Sequence, residues 1–180
     1  MSQNAASWYC IADEATSAPE FPLMTTSVSI ASPTEADKQE WRRLYDGYAT
    51  FYKREMNDRI ADMVWSWIHD PNHVLECLLA KTQEGRVVGL AHVREFPRPS
   101  LGLTGGFLDD LFVDPQFRGQ GVVDALMRAL RELAAERGWA QIRWITAEDN
   151  YRARSVYDRV GRRTHWVTYD MDPAPAKSKS

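Results

Sequence analysis

One segment near the middle of the chain limits the possible folds more than any other. Phe107–Val113 is a short apolar run typical of a buried strand, and Asp114–Gly121 is a turn-rich loop. Gly121–Arg137 then repeats apolar residues at spacings of three and four and is followed by Gly138, which predicts an amphipathic helix. The apolar face of that helix contains Val122, Leu126, Leu130, Leu133 and Ala134.

The preceding part of the chain predicts a short strand and two helices. Val28 and Ile30 indicate the strand, and Ser32-Pro33-Thr34-Glu35 predicts a helix start with Ser32 as its N-cap. A second helix is predicted over 57–69, ended by Asp70-Pro71-Asn72. The first helix presents Trp41, Leu44, Tyr45, Tyr48, Phe51 and Tyr52 on one face, and the second presents Ile60, Val64, Trp67 and Ile68.

The remaining segments predict mainly strands. Val74–Lys81 and Arg86–Glu95 form a predicted hairpin, and the following Phe96–Gly106 is rich in proline and glycine and predicts a loop. After the central helix we expect a strand over Trp139–Ala147, a helix over Asn150–Val160 closed by Gly161, and a last strand over Thr164–Met171 with Trp166 and Val167 in the core. The element order predicts one mixed α/β domain.

Length and composition suit one ordered domain with an extension at each end. We expect residues 1–27 to be flexible, residues 28–172 to form the domain and residues 173–180 to be a disordered tail. The net charge of −3 indicates no nucleic-acid partner. No apolar run reaches the roughly 18 residues that span a bilayer and no secretory signal is visible, so no membrane partner is expected. Cys10 and Cys77 favour free thiols and a cytoplasmic protein.

The loop Gln116-Phe117-Arg118-Gly119-Gln120-Gly121 is the most informative stretch for function. The first turn of a helix leaves up to four backbone N–H groups without partners and carries partial positive charge, so it suits a phosphate. The two glycines let the backbone approach such a phosphate, and Arg118 adds positive charge. The loop lacks the lysine of a Walker A sequence, and Asp124 stands where a dinucleotide fingerprint needs a small residue. Taken alone, two glycines at this spacing more often form a plain turn than a phosphate site.

The surroundings of the loop resemble the acetyl-coenzyme A signature of the GNAT superfamily of N-acetyltransferases. In that signature a strand is followed by a loop with three defined positions, which Gln116, Gly119 and Gly121 match. Downstream, Asn150-x-x-Ala153-x-x-x-Tyr157, followed by Gly161, resembles a second element of the family. The resemblance extends over residues 28–171, and the aromatic first helix is similar to that of small-molecule and polyamine-type members. It implies a central mixed, mostly antiparallel twisted sheet flanked by helices.

The resemblance also implies acetyl-CoA as co-substrate, and no metal. The pyrophosphate would lie on the amides of Gly119 to Asp124, and the pantetheine arm would lie beside Leu111–Val113 as an added strand, where one backbone N–H would hold the thioester oxygen. Val123 stands where many members have Gly or Ala, which puts the coenzyme affinity in doubt. The coenzyme-binding residues so implied are Leu111, Phe112, Val113, Gln116, Arg118, Gly119, Gln120, Gly121, Val122, Val123, Asp124 and Asn150.

The expected acceptor is a primary amine of a small molecule, such as a polyamine or an amino acid. The amine must lose a proton before it attacks the thioester in a ternary complex, so a base is needed. Asp109 and Asp110 are the candidates, and regular strand alternation places them on opposite faces, Asp109 with Leu111 and Asp110 with Phe112, unless a bulge intervenes. Asp109 matches the acidic residue of polyamine acetyltransferases and is slightly preferred as base or amine anchor. A purely structural role for either is the alternative.

Several tyrosines complete the predicted site. Tyr157 matches the family's tyrosine that protonates the departing sulfur, with core packing as the alternative. Asn150 is expected to cap its helix. Tyr45 and Tyr48, with Tyr52, could line the acceptor pocket, because tyrosine faces attract ammonium groups, although core packing is the preferred interpretation of these side chains.

Two other functions stay open at this point. One is a protein acetyltransferase acting on lysine or an N-terminus, and the other is a coenzyme A-binding regulatory module without turnover, against which the presence of Asp109 and Tyr157 argues. A homodimer is expected, since dimers through the C-terminal strand are common in relatives. The histidines His69, His73, His92 and His165 follow no metal-binding pattern and are interpreted as surface or core residues.

Overall fold

The computed structural model describes residues 27–175 as a five-stranded mixed sheet covered by helices. The strands lie side by side in chain order, and every neighbouring pair is antiparallel except the last, which is parallel. The predicted mixed α/β class is confirmed. Residues 1–26 and 176–180 lie outside the described residues, so the predicted extension and tail stay predictions. The strands are β1 (Ser29–Ala31), β2 (Leu75–Lys81), β3 (Val87–Arg98), β4 (Leu103–Val113) and β5 (Ile142–Trp144).

Four α-helices in the described part cover the sheet. α1 (Lys38–Phe51) and α2 (Asp58–His69) pack on one face, α3 (Val122–Glu136) packs on the other, and α4 (Tyr151–Val160) follows β5. The predicted apolar face of α3 is confirmed, with Leu133 only half-buried. In α2 the burial of Trp67 was predicted wrongly: it is 39% exposed, and the helix instead buries Ala61, Val64 and Trp65.

The beginning of α1 differs from the prediction at its cap. A short 3-10 turn over Glu35–Asp37 precedes the helix, and Thr34 rather than Ser32 begins it. The backbone N–H and the hydroxyl of Thr34 both donate to Asp37 Oδ2 at 2.8 Å. Lys81 of β2 pairs with the same carboxylate at 2.7 Å. Because this ion pair with a distant strand holds Asp37 in place, it favours Thr34 over Ser32 as the cap.

The predicted loop over Phe96–Gly106 is wrong, because β3 and β4 extend through it. Phe96 lies opposite Gly105 and Pro97 opposite Thr104, and a tight turn over Pro99–Leu101 joins the strands. The ladder of β3 with β2 ends at Arg94, so at Pro97 one side of β3 has no strand partner in the described sheet. Proline is tolerated at such an edge, which explains how a segment rich in proline and glycine can form strands.

The C-terminal part has less strand than predicted. The strand predicted over Trp139–Ala147 shortens to β5, and within the described chain Thr164–Met171 forms no strand. The predicted core positions there are wrong, since Trp166 is 82% and Val167 70% exposed. A strand needs an edge to pair with, and none of the described strands pairs with this segment. Within residues 27–175 no helix has the length and apolar character needed to cross a membrane.

Candidate functional site

The parallel strands β4 and β5 diverge and leave a cavity between them. Their pairing covers only Gly106 to Leu108 of β4, so the later residues Leu111–Val113 have no partner on that side among the described strands. A cavity of about 380 Å³ lies there, bounded by the first turn of α3, by α4 and by the end of α1. Gly47 of α1 brings that helix close to β4, because a Cβ at this position would stand 2.8 Å from the Phe112 ring.

The loop before α3 forms one end of the cavity. Gly119 and Gly121 have φ values of +79° and +80°, a left-handed conformation that other residues adopt at a cost. Gly121 is the N-cap of α3, so the first-turn N–H groups receive no cap from a side chain of that residue. Asp114 anchors the loop by accepting from the Gln116 N–H at 3.0 Å and from Arg43 Nη1 at 2.7 Å.

Three arginines make the same end of the cavity positive. Arg118 donates from Nε to the Val113 carbonyl at 3.0 Å, which fixes the guanidinium beside the loop. Burial and the neighbouring Arg152 both lower the pKa of Arg118. Arg159 lies on α4 with Arg152 and pairs with Asp124 at 2.7 Å. A helix N-terminus flanked by crowded cations is a suitable site for a polyanion such as a pyrophosphate.

A bulge in β4 overturns the predicted placement of the two aspartates. His92 of β3 lies opposite Asp110, but the next residue, Val93, lies opposite Leu108, so Asp109 is the extra residue. Leu108 and Val113 belong to the core under α3, whereas Phe112 packs under α1. The pairing of Asp109 with Arg94, which shares the α1 face of β3 with His92, places both carboxylates on that face. The predicted sharing of a face by Asp109 and Leu111 is therefore wrong.

The two carboxylates have different surroundings. Burial raises the pKa of Asp109, although Arg94 Nε at 2.9 Å from Oδ2 opposes this. Burial would also raise the pKa of Asp110, but hydrogen bonds from His92 Nδ1, at 2.8 Å, and from Tyr48 outweigh it and hold that pKa below its ordinary value. Two adjacent carboxyl groups with pKa values displaced in opposite directions are suited to different tasks.

Tyr157 projects from α4 into the wall of the cavity. Its ring packs edge-on against Trp144 of β5 with 5.4 Å between ring centroids. Gly161 makes room for this contact, since a Cβ there would stand 2.6 Å from Trp144; its φ of −144° shows that space rather than a left-handed backbone requires the glycine. Burial raises the pKa of Tyr157 to about 12, so its hydroxyl stays protonated at neutral pH.

Asn150 caps α4, as predicted. Its side-chain oxygen accepts from the Ala153 N–H at 3.3 Å, and its Nδ2 lies 3.4 Å from the Tyr52 hydroxyl. This links the start of α4 to the end of α1 across the cavity. In the described part of the chain no cluster of three metal-ligating side chains occurs.

The structure brings most of the predicted coenzyme-binding residues to the cavity. Gln116 and Gln120 are outside its lining: Gln120 donates from its side chain to the Gln116 carbonyl at 2.9 Å. Tyr45, Tyr48, Asp109 and Asp110 also lie outside it, on the α1 side of β4. The cavity is also lined by Tyr52, which was predicted for the acceptor pocket. The other predicted residues that line it are Leu111, Phe112, Val113, Arg118, Gly119, Gly121, Val122, Val123, Asp124, Asn150 and Tyr157.

Several lining residues on α4 were not predicted from the sequence. Arg152, Ser155, Val156 and Arg159 follow at helical spacing, and this spacing relative to Asn150 and Tyr157 could have identified them. Phe51, Phe117 and Ala153 also line the cavity; they stand within the motifs described above but were not predicted as site residues.

The known proteins to which this chain is similar include N-acetyltransferases. The chain is 28% identical over 134 residues to the D-amino-acid N-acetyltransferase HPA3 of Saccharomyces cerevisiae, covering 74% of this chain and 83% of that protein. Among solved structures it is similar to a ribosomal-protein-alanine N-acetyltransferase from Brucella melitensis biovar Abortus 2308, with a TM-score of 0.67, 26% identity and coverage of 81% and 99% of the two chains.

A third solved structure shares the fold at lower identity. The aminoglycoside N-acetyltransferase AAC(6')-Iy, solved in complex with the bisubstrate analogue CoA-S-monomethyl-acetylneamine, has a TM-score of 0.72 and 18% identity, with coverage of 83% and 100% of the two chains. The model of the Acetyltransferase (GNAT) family matches residues 38–161, more than half of the chain. The protein is an N-acetyltransferase, and its chain belongs to the GNAT family.

Proposed function

We propose that the protein transfers an acetyl group from acetyl-CoA to the primary amine of a small molecule, by direct attack in a ternary complex. The observation that carries this proposal is the cavity between β4 and β5, which joins a cationic helix N-terminus to an unpaired strand edge. Two partly buried carboxylates lie on the other side of β4. Phosphate, pantetheine and amine would therefore have adjoining sites along one strand.

The residues present fit the coenzyme. Backbone N–H groups of Gly119 to Asp124 would hold the pyrophosphate, with Arg118 and Arg152 supplying charge. The free edge of Leu111–Val113 would add the pantetheine as a further strand. Bound there, the coenzyme supplies the activated acetyl group, and an N–H of the same edge would stabilise negative charge on the thioester oxygen.

The two aspartates would divide the work on the amine. Asp109, whose pKa burial raises, is the better proton acceptor near neutral pH and would act directly or through water. Asp110 would stay ionised and bind the ammonium form of the acceptor before the proton leaves. The faces of Tyr45 and Tyr48 beside it would add cation–π attraction.

Tyr157 would donate to the departing sulfur. Its pKa of about 12 lies above the reference value of about 8.5 for a thiol, so complete proton transfer to a thiolate is uphill. We therefore expect the hydroxyl to stabilise the sulfur by a hydrogen bond, with the amine's proton completing the neutral thiol.

Relatives favour a small acceptor but differ among themselves. HPA3 is named for D-amino acids and AAC(6')-Iy for aminoglycosides, which supports a small amine. The ribosomal-protein-alanine enzyme supports a protein N-terminus as the second candidate. The third candidate, a coenzyme A-binding regulatory module, would bind the coenzyme without turnover.

One pair of measurements separates these candidates. A thiol-release assay with acetyl-CoA would test polyamines, D- and L-amino acids, aminoglycosides and peptides with a free N-terminus or lysine, and calorimetry would measure acetyl-CoA binding alone. Turnover on a small amine is expected. Turnover only on peptides would establish the second candidate, and binding without turnover on any acceptor would favour the third. Absence of acetyl-CoA binding would overturn the proposal.

We further propose that two copies associate through their C-terminal segments. Trp166, Val167, Tyr169 and Met171 are 70% to 95% exposed, and a groove of about 940 Å³ runs beside β5. An extended segment of a second copy would pair with the edge of β5 that has no partner among the described strands and would cover these side chains. Sedimentation should show a dimer that the double substitution Trp166→Glu and Val167→Glu converts to a monomer. A monomeric wild-type protein would refute this assembly.

A further inference from the structure

A chain of hydrogen bonds leads from the core to Asp110. Trp41 of α1 donates from Nε1 to His92 Nε2 at 2.9 Å, and His92 Nδ1 lies 2.8 Å from Asp110 Oδ2. Trp41 is fully buried and His92 is 1% exposed. Side chains from α1, β3 and β4 thus meet in one line whose outer end is the carboxylate.

The donors in this series of hydrogen bonds determine which nitrogen of His92 carries the proton. An indole N–H can only donate, so His92 Nε2 must offer its lone pair to Trp41. The single proton of the neutral ring is then on Nδ1 and is donated to Asp110. A second proton at Nε2 would face the Trp41 N–H and break that bond, leaving a buried donor without an acceptor. The arrangement therefore favours a neutral ring with one fixed tautomer.

We propose that Trp41 and His92 are positioning residues that keep Asp110 as a fully charged carboxylate, the anchor for the ammonium group of a cationic acceptor. This inference rests on the proposed function and names the recognising residue of its acceptor site. A neutral His92 orients the carboxylate without cancelling its charge, whereas a protonated ring would form an internal ion pair and leave no net charge for the acceptor.

The neighbouring charges make Asp110 the carboxylate that is left for the acceptor. Arg94 already pairs with Asp109 at 2.9 Å, so that carboxylate has a cation of its own. Tyr48 donates to Asp110 from one side, and the Tyr45 ring stands edge-on to His92 with 5.0 Å between centroids. A half-buried anion between aromatic side chains is suited to an alkylammonium ion rather than to a neutral or anionic acceptor.

The groups around Asp110 determine how the proposal can be tested by pH. Histidine is the one residue type among them with a reference pKa between 5 and 8. Burial also raises the pKa of Asp109, but this carboxyl is present in wild type and variant alike, so a change with pH in the ratio of variant to wild-type activity reports on His92. The titratable and charged groups that face Asp110 are Tyr45 and Tyr48 from α1, Arg54 after it, Cys77 from β2, His92 from β3 and Asp109 from β4.

Trp41→Phe is the first test, because it keeps an aromatic ring and removes the N–H donor. His92 Nε2 then becomes free to take a proton as the pH falls. We expect the ratio of kcat/KM, variant to wild type, to be near one at pH 8.5 and about tenfold or more lower at pH 5.5. The ratio cancels the titration of the amine itself. A ratio that stays constant with pH would overturn the proposal.

Nitrogen-15 NMR of the His92 ring provides a readout independent of turnover. In the wild type we expect the single Nδ1–H tautomer, and in Trp41→Phe the loss of that single tautomer. Butylammonium chloride should shift the His92 Nδ1–H signal in the wild type and not in Asp110→Asn. A wild-type ring that carries its proton on Nε2, or an unchanged signal with butylammonium, would contradict the inference even if acetyl transfer is established.

Substitutions at His92 separate positioning from proton transfer. In His92→Asn the amide N–H₂ can still donate to Asp110 but cannot titrate, so we expect the KM for the amine within about tenfold of the wild type. His92→Leu loses the donor and should raise that KM further, with little change in acetyl-CoA affinity by calorimetry. Cys77→Ala, opposite His92 on β2, is the packing control and should leave the pH ratio flat. Equal, large losses of kcat in His92→Asn and His92→Leu would instead make His92 the base.

Discussion

Arg159 of α4 and Asp124 in the first turn of α3 form a 2.7 Å ion pair that crosses the cavity mouth. Asp124 is a carboxylate at the helix N-terminus where we place the pyrophosphate. Arg159 offsets its charge, so the pair both joins the helices and removes repulsion from the anion site. Both side chains are partly exposed, at 50% and 28%, which limits what the pair adds to stability.

Arg159→Ala should therefore weaken acetyl-CoA binding more than it weakens the fold. We expect the Kd, measured by calorimetry, to rise about tenfold, because Asp124 then repels the pyrophosphate. Asp124→Asn combined with Arg159→Ala should recover much of the affinity, and Arg128→Ala on the outer side of α3 is the control. Additive losses in the double variant would show that the two side chains act separately.

Gly119→Ala tests the loop conformation. A Cβ at φ +79° is strained by about 1–2 kcal/mol but meets no other atom within 4 Å, so backbone strain and loss of phosphate access are the expected effects. We expect an acetyl-CoA Kd at least about tenfold higher. Gly85→Ala is a matched control, since Gly85 has φ +82° and equally open surroundings in the β2–β3 turn. It should lower stability similarly and leave the Kd unchanged; parallel Kd changes in both variants would refute the loop assignment.

Tyr157→Phe should lower kcat about 100-fold with little change in the KM for acetyl-CoA, because the hydroxyl acts on the departing sulfur. The pKa of about 12 predicts that the wild type shows no loss from tyrosine ionisation below about pH 10. Initial rates between pH 7 and 10 test both statements. Tyr151→Phe, on the same helix but 73% exposed, is the control. A kcat for Tyr157→Phe within twofold of the wild type would leave the tyrosine a packing role.

Asp114→Asn predicts a pH-dependent loss of stability. Burial would raise the pKa of Asp114, but hydrogen bonds from the Gln116 N–H and Arg43 lower it below its ordinary value. A carboxyl with a lower pKa in the folded than in the unfolded state stabilises the fold above the unfolded value, and this contribution is lost as the pH falls through the folded value. We expect the variant to be about 1–3 kcal/mol less stable at pH 7. The difference should become smaller as the pH falls below the unfolded value of about 3.9.

Urea unfolding at pH 7, 5 and 3 measures that difference. Asp62→Asn is the control, because Asp62 and Lys38 form an exposed pair with 64% and 45% of their side chains accessible. It should change stability little at any of these pH values. A loss in Asp114→Asn that is the same at pH 3 and pH 7 would show that the carboxylate's charge is not the cause.

The sequence predicted those parts of the structure that local patterns determine. The helix over Val122–Glu136, its glycine loop and the cap at Asn150 each depend on neighbours within a few residues. The extension of β3 and β4 through Pro97 could not be predicted from the sequence, because proline is tolerated there only where one side of the strand has no partner. Trp166 was predicted to lie in a buried strand, but a strand needs a sheet edge to pair with, and the local pattern of residues does not show whether such an edge is available.

The site residues likewise differ in whether local patterns could predict them. Gly119, Gly121 and Tyr157 belong to motifs and were predicted to act on the coenzyme. Trp41 and His92 are 51 positions apart in the chain, and their hydrogen bond exists only because α1 lies on β3. His92 was interpreted only as a surface or core histidine, since a single sequence offers no sign of such a partner.

The bulge at Asp109 also has a meaning for interpreting sequences. A regular strand would turn one of two consecutive aspartates toward α1 and the other into the hydrocarbon packing under α3, where an ionised carboxylate without a partner is very costly. Two adjacent acidic residues in the middle of a buried apolar strand are therefore compatible with folding only if the regular alternation of the strand is interrupted between them. Such a pair is therefore a marker of irregular backbone that can be recognised in the sequence alone. It indicates where a strand changes from residues that pack in the core to residues that can bind a ligand.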